Sequence, residues 1–152
     1  MKKNTVRKGM VAERLEKVLG GLKGKKVGIW GVTYKAGTGT LRRSMALEVA
    51  KELTGRGAQV CASAPGAIEN EVHKAGIKNF VRAHHQMAQG CRAVVLMTAW
   101  PEFKKVNVKT LSGLMAPPKV FFDTRNFLGD RINQFKNSGL RYLGIGRGEY
   151  VN

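Results

Sequence analysis

Acidic residues are scarce in this chain. Ten aspartates and glutamates stand against 27 lysines and arginines among 152 residues, a formal net charge of +17. An imbalance of that size draws a protein toward polyanions or anionic ligands. Cysteine is nearly absent: Cys61 and Cys91 are the only two. That excludes a disulfide-stapled scaffold. Each adjoins a strand-like run, so both are expected as reduced thiols in the core. With no Cys-x-x-Cys pair and only His73, His84 and His85 as imidazoles, no metal site is expected. Adjacent histidines point about 100° apart on a helix and cannot form an i, i+4 ligand pair. A surface helix is the expected home of His84 and His85. No apolar run approaches the ~20 residues of a membrane span. The basic stretch Met1–Met10 is not followed by the apolar segment of a secretory leader. A cytoplasmic protein without a membrane partner is therefore expected. Aromatic residues make up 7%, and no RNA-reading motif or aromatic–basic platform is visible.

Hydrophobic residues make up 43% of the chain, which excludes whole-chain disorder. The length suits one ordinary domain, burying ~68–70% of the unfolded surface. Thr5–Leu22 reads as a helix with Val11, Leu15, Val18, Leu19 and Leu22 on one stripe. That stripe is expected to pack on the domain, and it is also a surface on which a partner could sit. Beyond it the pattern alternates. Strands are expected at Lys26–Trp30, Ala58–Ala62, Asn79–Val81, Ala93–Thr98, Lys119–Asp123 and Arg141–Gly144. Helices are expected at Met45–Arg56, Ala67–Ala75, His84–Gln89, Val108–Met115 and Arg131–Ser138. Six strands alternating with helices predict an α/β fold, a doubly wound (Rossmann-like), mostly parallel sheet with an N-terminal helix. Ligands then bind outside the carboxyl ends of the strands. Two parts follow: residues 1–23 as the helix and residues 24–152 as the sheet domain.

The stretch Gly31–Ser44, GVTYKAGTGTLRRS, stands between the first strand and its helix. Glycines let backbone approach an anion, and unpaired N–H groups at a helix start point toward it. Ser44 is placed to cap the helix, whose stripe is Ala46, Val49, Ala50 and Leu53, and Arg56-Gly57 is placed to end it. The loop is neither a Walker loop nor a GxGxxG fingerprint, because its glycines are Gly31, Gly37 and Gly39 and no Gly-Lys-Ser/Thr follows. Other side chains predicted at the same edge are Lys35 and Thr38, Thr98 and Trp100, and Asp123, Arg125 and Asn126. A lysine is a point charge for a phosphate, and an arginine fork suits phosphate or carboxylate.

The segment GVTYKAGTGTLRRSMALEVAKELTGRGAQV resembles the opening of the C-terminal, UDP-binding domain of the UDP-glucose/GDP-mannose dehydrogenase family. LMTAWPEFKKV, VFFDTRN and YLGIGRG follow in the family's order. The resemblance implies that Lys35, Arg125 and Tyr34, at the aromatic position beside the lysine, contact a UDP-sugar. It places Arg42 toward the NAD side of an interdomain cleft, with Thr38, Ser44, Asp123 and Asn126 supporting the loops and Asp123 orienting rather than catalysing. It also makes the N-terminal helix the counterpart of the tail of the family's central helix.

The family oxidises a sugar 6-hydroxyl with two molecules of NAD, using a cysteine in a G-G-x-C-F-P-K-D-like stretch and a separate NAD fingerprint. Neither occurs here: Cys61 lies in VCASAP and Cys91 in GCRAV. No catalytic residue is therefore expected in this chain, and NAD is expected only in a complete enzyme. Gly39, Thr40, Arg43, Ala64, Arg92 and Ala99 stand where the family usually or often carries acids, and restoring them would remove nearly half the excess charge. Met45 stands where the family often has a proline. Three readings follow. The chain is a UDP-sugar-binding piece of a dehydrogenase, as a fragment or beside a separately encoded NAD-binding, catalytic half. Alternatively it is a noncatalytic module for nucleic acid or another polyanion. The third reading is a domain kept for assembly, for instance as a homodimer through the N-terminal helix.

Overall fold

The central strands of the sheet are short apolar runs bounded by glycine or polar residues, and most are followed by a helix with one apolar stripe. The computed structural model describes residues 8–41, 44–145 and 148–150. In chain order the elements are α1 (Lys8–Leu19), β1 (Lys26–Trp30), α2 (Met45–Gly55), β2 (Gln59–Ser63), α3 (Glu69–Lys74), β3 (Asn79–Phe80) and α4 (His84–Met87). Then come β4 (Ala93–Leu96), a 3-10 turn (Pro101–Lys105), α5 (Val108–Leu114), β5 (Val120–Asp123), a second 3-10 turn (Gly129–Arg131), α6 (Ile132–Asn137), β6 (Arg141–Gly144) and β7 (Gly148–Tyr150).

The sheet order is β3-β2-β1-β4-β5-β6-β7. The first six strands are mutually parallel, and β7 is an antiparallel edge strand on β6. The α/β, doubly wound reading holds. The seventh strand was not expected from the sequence, since Gly148–Tyr150 carries no alternation.

Alternate strand residues point to opposite faces, and the two faces have separate cores. Val27, Ile29, Val60, Ala62, Val95, Phe122 and Leu143 meet the stripes of α1, α2 and α3. Trp30, Cys61, Val94, Leu96, Phe121 and Tyr142 meet residues of α4, α5 and α6. The chain changes face through α4, between β3 and β4, so β1 and β4 flank the switch point where such sheets bind ligands.

The described part of the N-terminal helix belongs to the first core. Val11, Ala12 and Leu15 are fully buried and Leu19 nearly so. Burying a leucine of this kind stabilises by about 1.5–3 kcal/mol. Arg14 stacks over the Phe122 ring at 5.0 Å and donates to Gly144 O at 3.2 Å, while Arg56 Nη1 reaches Glu16 Oε1 at 2.6 Å. These contacts place α1 across β5 and β6, beside α2. The apolar stripe is thus spent inside the fold and is not a free docking face. The predicted start at Thr5 lies outside the described residues.

The histidine expectation is corrected. His84 and His85 are half-buried and close the end of an aromatic cluster. The Trp30 ring lies 4.8 Å from His84 and 5.0 Å from Phe103, and Trp30 Nε1 donates to His84 O at 3.1 Å. A tryptophan ending β1 needs cover, and α4 is too short to supply it except through its own imidazoles. Burial, together with the neighbouring His85, pushes the His84 pKa down to about 4.

Candidate functional site

The loop after β1 is shaped by hydrogen bonds that leave its tip outward. Tyr34 N–H donates to Thr40 O at 2.8 Å, and Thr40 N–H to Thr38 Oγ1 at 3.3 Å. These bonds close a small ring in which Lys35 and Tyr34 are exposed, Tyr34 by 50%. Gly31 enters the loop at φ +91, and an added Cβ there would lie 2.6 Å from both Thr98 Cβ and Thr98 O. Only glycine combines that backbone with that approach.

Ser44 occupies the N-cap position of α2, but its side chain does not cap the helix. Its buried hydroxyl instead donates to Val32 O at 2.6 Å, tying the end of the loop back to its beginning. The capping role expected from the sequence is corrected on this point, because a buried carbonyl on β1's exit needs a donor more than an open helix end does. At the other end of α2, Arg56 and Gly57 terminate the helix, with Gly57 at φ +96.

The loop after β4 turns its Thr98 and Trp100 side chains inward, onto the loop after β1. Thr98 Oγ1 donates to Thr33 O at 2.7 Å and lies 3.1 Å from Gly31 O. Trp100 Nε1 donates to Thr33 Oγ1 at 2.9 Å, and Thr33 Oγ1 donates on to Lys35 O at 3.1 Å. The far edge of the same indole presses on Gly66, where an added Cβ would sit 2.4 Å from the ring. Gly39 meets Gly66 O just as closely, at 2.8 Å from its would-be Cβ. One tryptophan therefore fastens together the loops after β1, β2 and β4. Thr98 and Trp100, expected among the ligand residues, are buried and committed to this role.

The loop after β5 is organised by Asp123, which is fully buried. Oδ1 accepts from Arg125 N–H at 3.1 Å and Phe127 N–H at 3.0 Å. Oδ2 accepts from Leu128 N–H and from the Tyr142 hydroxyl, both at 2.6 Å. With both oxygens occupied, Asp123 orients the loop and has no lone pair aimed at a ligand. Thr124 Oγ1 donates to Leu96 O at 2.6 Å. Asn126 turns the chain at φ +53, a backbone state asparagine tolerates, and its Nδ2 lies 3.4 Å from Ile145 O. Arg125 is left exposed at the tip.

The expected residues therefore share one edge of the sheet but not one pocket. β4 lies between β1 and β5, so the strands bearing Lys35 and Arg125 are roughly 10 Å apart at the usual strand spacing. Arg42 and Arg43 lie outside the described residues. Sequence reasoning missed Thr33, Gly66 and Tyr142. The only signal for them was their place within or just after a strand. Among the described residues, three of the four large exposed hydrophobic side chains, Tyr34, Ile68 and Val81, lie on loops leaving β1, β2 and β3, and the fourth, Met45, opens α2. Among the described residues no helix is long and apolar enough to cross a membrane, and no three His, Cys, Asp or Glu side chains gather to hold a metal ion.

Comparison with known proteins converges on one domain. The profile described as "UDP-glucose/GDP-mannose dehydrogenase family, UDP binding domain" matches residues 28–130. A UDP-glucose 6-dehydrogenase of Rickettsia felis is 33% identical over 150 residues, 96% of this chain and 33% of that protein. A second, from Rhizobium meliloti, is 30% identical over 145 residues, 95% of this chain and 32% of its own length. Among solved structures, a UDP-glucose dehydrogenase from Pyrobaculum islandicum superposes with a TM-score of 0.70 at 28% identity, covering 88% of this chain and 28% of that one. The chain thus spans about a third of the relatives it matches.

Proposed function

Because the chain belongs to the UDP-glucose/GDP-mannose dehydrogenase family, whose UDP binding domain it carries, we propose that it holds the UDP moiety of a nucleotide sugar for oxidation by an NAD-dependent dehydrogenase. The observation that carries this reading is the pair of exposed cations, Lys35 and Arg125, on internally hydrogen-bonded loops at one sheet edge. Their parent strands are roughly 10 Å apart, room for a nucleoside diphosphate to lie across the intervening β4 loop. The lysine acts as a point charge on phosphate, the arginine as a fork on phosphate or sugar, and Tyr34 supplies a flat apolar side to the ligand.

The described residues do not fit NAD. The loop after β1 is pinned by Tyr34 N–H on Thr40 O and by Ser44 on Val32 O, and its sequence carries no GxGxxG fingerprint. Hydride transfer is therefore assigned to other parts of the enzyme. Cys61 and Cys91 are both buried in the second core, so neither is placed to attack a bound sugar. The exposed apolar side chains at the carboxyl edge fit an edge that a further part of the enzyme covers.

The charge of +17 favours a second reading, a polyanion-binding module. A groove of about 480 Å³ between α5 and α6 is lined by Lys105, Lys109 and Arg131 and by no acid. A thermal-shift panel separates the two. UDP, UDP-glucose, UDP-glucuronate, GDP-mannose, NAD and a short RNA are compared at two salt concentrations. The expected result is stabilisation by the uridine nucleotides at both. Stabilisation by RNA alone, lost at high salt, would support the polyanion module instead.

A further inference from the structure

A cluster of sulfur lies beneath β1, away from the nucleotide edge. Cys61 comes from β2, Met87 from the end of α4, and Cys91 from the turn before β4. Cys61 Sγ is 3.2 Å from Met87 Sδ and 3.7 Å from Cys91 Sγ. All three side chains are buried, with exposures of 3%, 1% and 0%. Their meeting depends on Gly28, the residue of β1 in register with Cys61. A Cβ on Gly28 would fall 2.6 Å from Met87 Sδ and 3.2 Å from Cys91 Sγ. The strand thus omits a side chain at the point where the sulfurs converge.

We propose that Cys61, Cys91 and Met87 form a three-sulfur site for a soft monovalent cation of the Cu(I) class. The donor set selects the ion. Two thiolates and a thioether, with no carboxylate or imidazole, suit Cu(I), whereas structural zinc takes four ligands. With bonds of about 2.3 Å a trigonal ion sets its sulfurs ~4 Å apart, so the Cys61–Met87 and Cys61–Cys91 spacings of 3.2 and 3.7 Å need only a slight opening. Binding replaces two S–H protons with one cation and leaves one net negative charge. Entry requires local opening of α4, four residues long and ending at the exposed turn before Cys91.

The test uses the reduced chain under anaerobic conditions, titrated with Cu(I) against bicinchoninate as competitor. One equivalent should be taken from the competitor. Met87→Leu, a swap that conserves volume, should weaken retention at least tenfold, and the double variant Cys61→Ala/Cys91→Ala should abolish it. Ag(I) should raise the melting temperature of the wild type and not that of Met87→Leu by the same amount. Near-UV circular dichroism checks folding; if the double variant is unfolded, Met87→Leu decides. Failure to compete, retention unchanged in Met87→Leu, or formation of a Cys61–Cys91 disulfide with no metal retained would each overturn the assignment.

Discussion

The loop after β5 closes around one buried carboxylate, whereas the loop after β1 is held by hydroxyls and an indole from several places in the chain. Asp123 gathers three backbone N–H groups and the Tyr142 hydroxyl within its own neighbourhood. The β1 loop leans on Ser44 at its far end, on Thr98 and Trp100 across the switch point, and on Gly66 beyond β2. One device is concentrated and the other distributed. The Arg125 tip should therefore fail all at once when one side chain is removed, and the Lys35 tip only by degrees.

The largest effect is expected at Asp123. Asp123→Ala leaves four donors without their acceptor, two of them at 2.6 Å, and should cost about 3–5 kcal/mol in urea denaturation. Asp123→Asn, which keeps an acceptor oxygen, should cost less. Gly31→Ala should come next, at about 2 kcal/mol or more, because it adds both a strained φ and a collision with Thr98. Ser44→Ala removes one hydrogen bond from a shared set and should cost only about 1 kcal/mol. If Ser44→Ala proved as damaging as Asp123→Ala, the contrast between the loops would be lost.

The pH dependence sharpens the same contrast from below the β1 loop. His84 packs on Trp30, the residue before Gly31, and its pKa of about 4 lies below the ordinary 6.5. Between those values the unfolded chain binds a proton that the folded chain refuses, so stability falls as pH drops through that window. Burial lowers His85 as well, adding in the same direction. His73, raised by the Ile77 carbonyl and Glu69, works with the opposite sign. Thermal midpoints should decline from pH 6.5 toward 5, and His84→Asn should flatten that limb. A limb unchanged in the variant would remove His84 from the account.

Much of this fold can be read along the chain, because the central strands are apolar runs with polar punctuation. Lys26–Trp30 and Arg141–Gly144 stand at the predicted residues, and the other parallel strands are displaced by a residue or two at their ends. What escapes the sequence is whatever depends on a distant partner. His84 and His85 look like surface residues until Trp30 is seen to need them. Gly148–Tyr150 becomes a strand only because β6 offers an edge. That the loops bearing Lys35 and Arg125 leave the same edge of the sheet was legible from the alternation of strands and helices. The division of labour there was not: Trp100 reads as a ligand residue by its place, yet its indole is consumed by Thr33 and Gly66.

The most direct measurement is calorimetric titration of UDP into the wild type, Lys35→Ala and Arg125→Ala across a range of salt. A charge-assisted hydrogen bond contributes roughly 1.5–3 kcal/mol, so each substitution should weaken UDP by about tenfold or more while leaving the fold intact. Wild-type UDP affinity that neither substitution changes, together with tight RNA binding that falls steeply with salt, would contradict the nucleotide-sugar account.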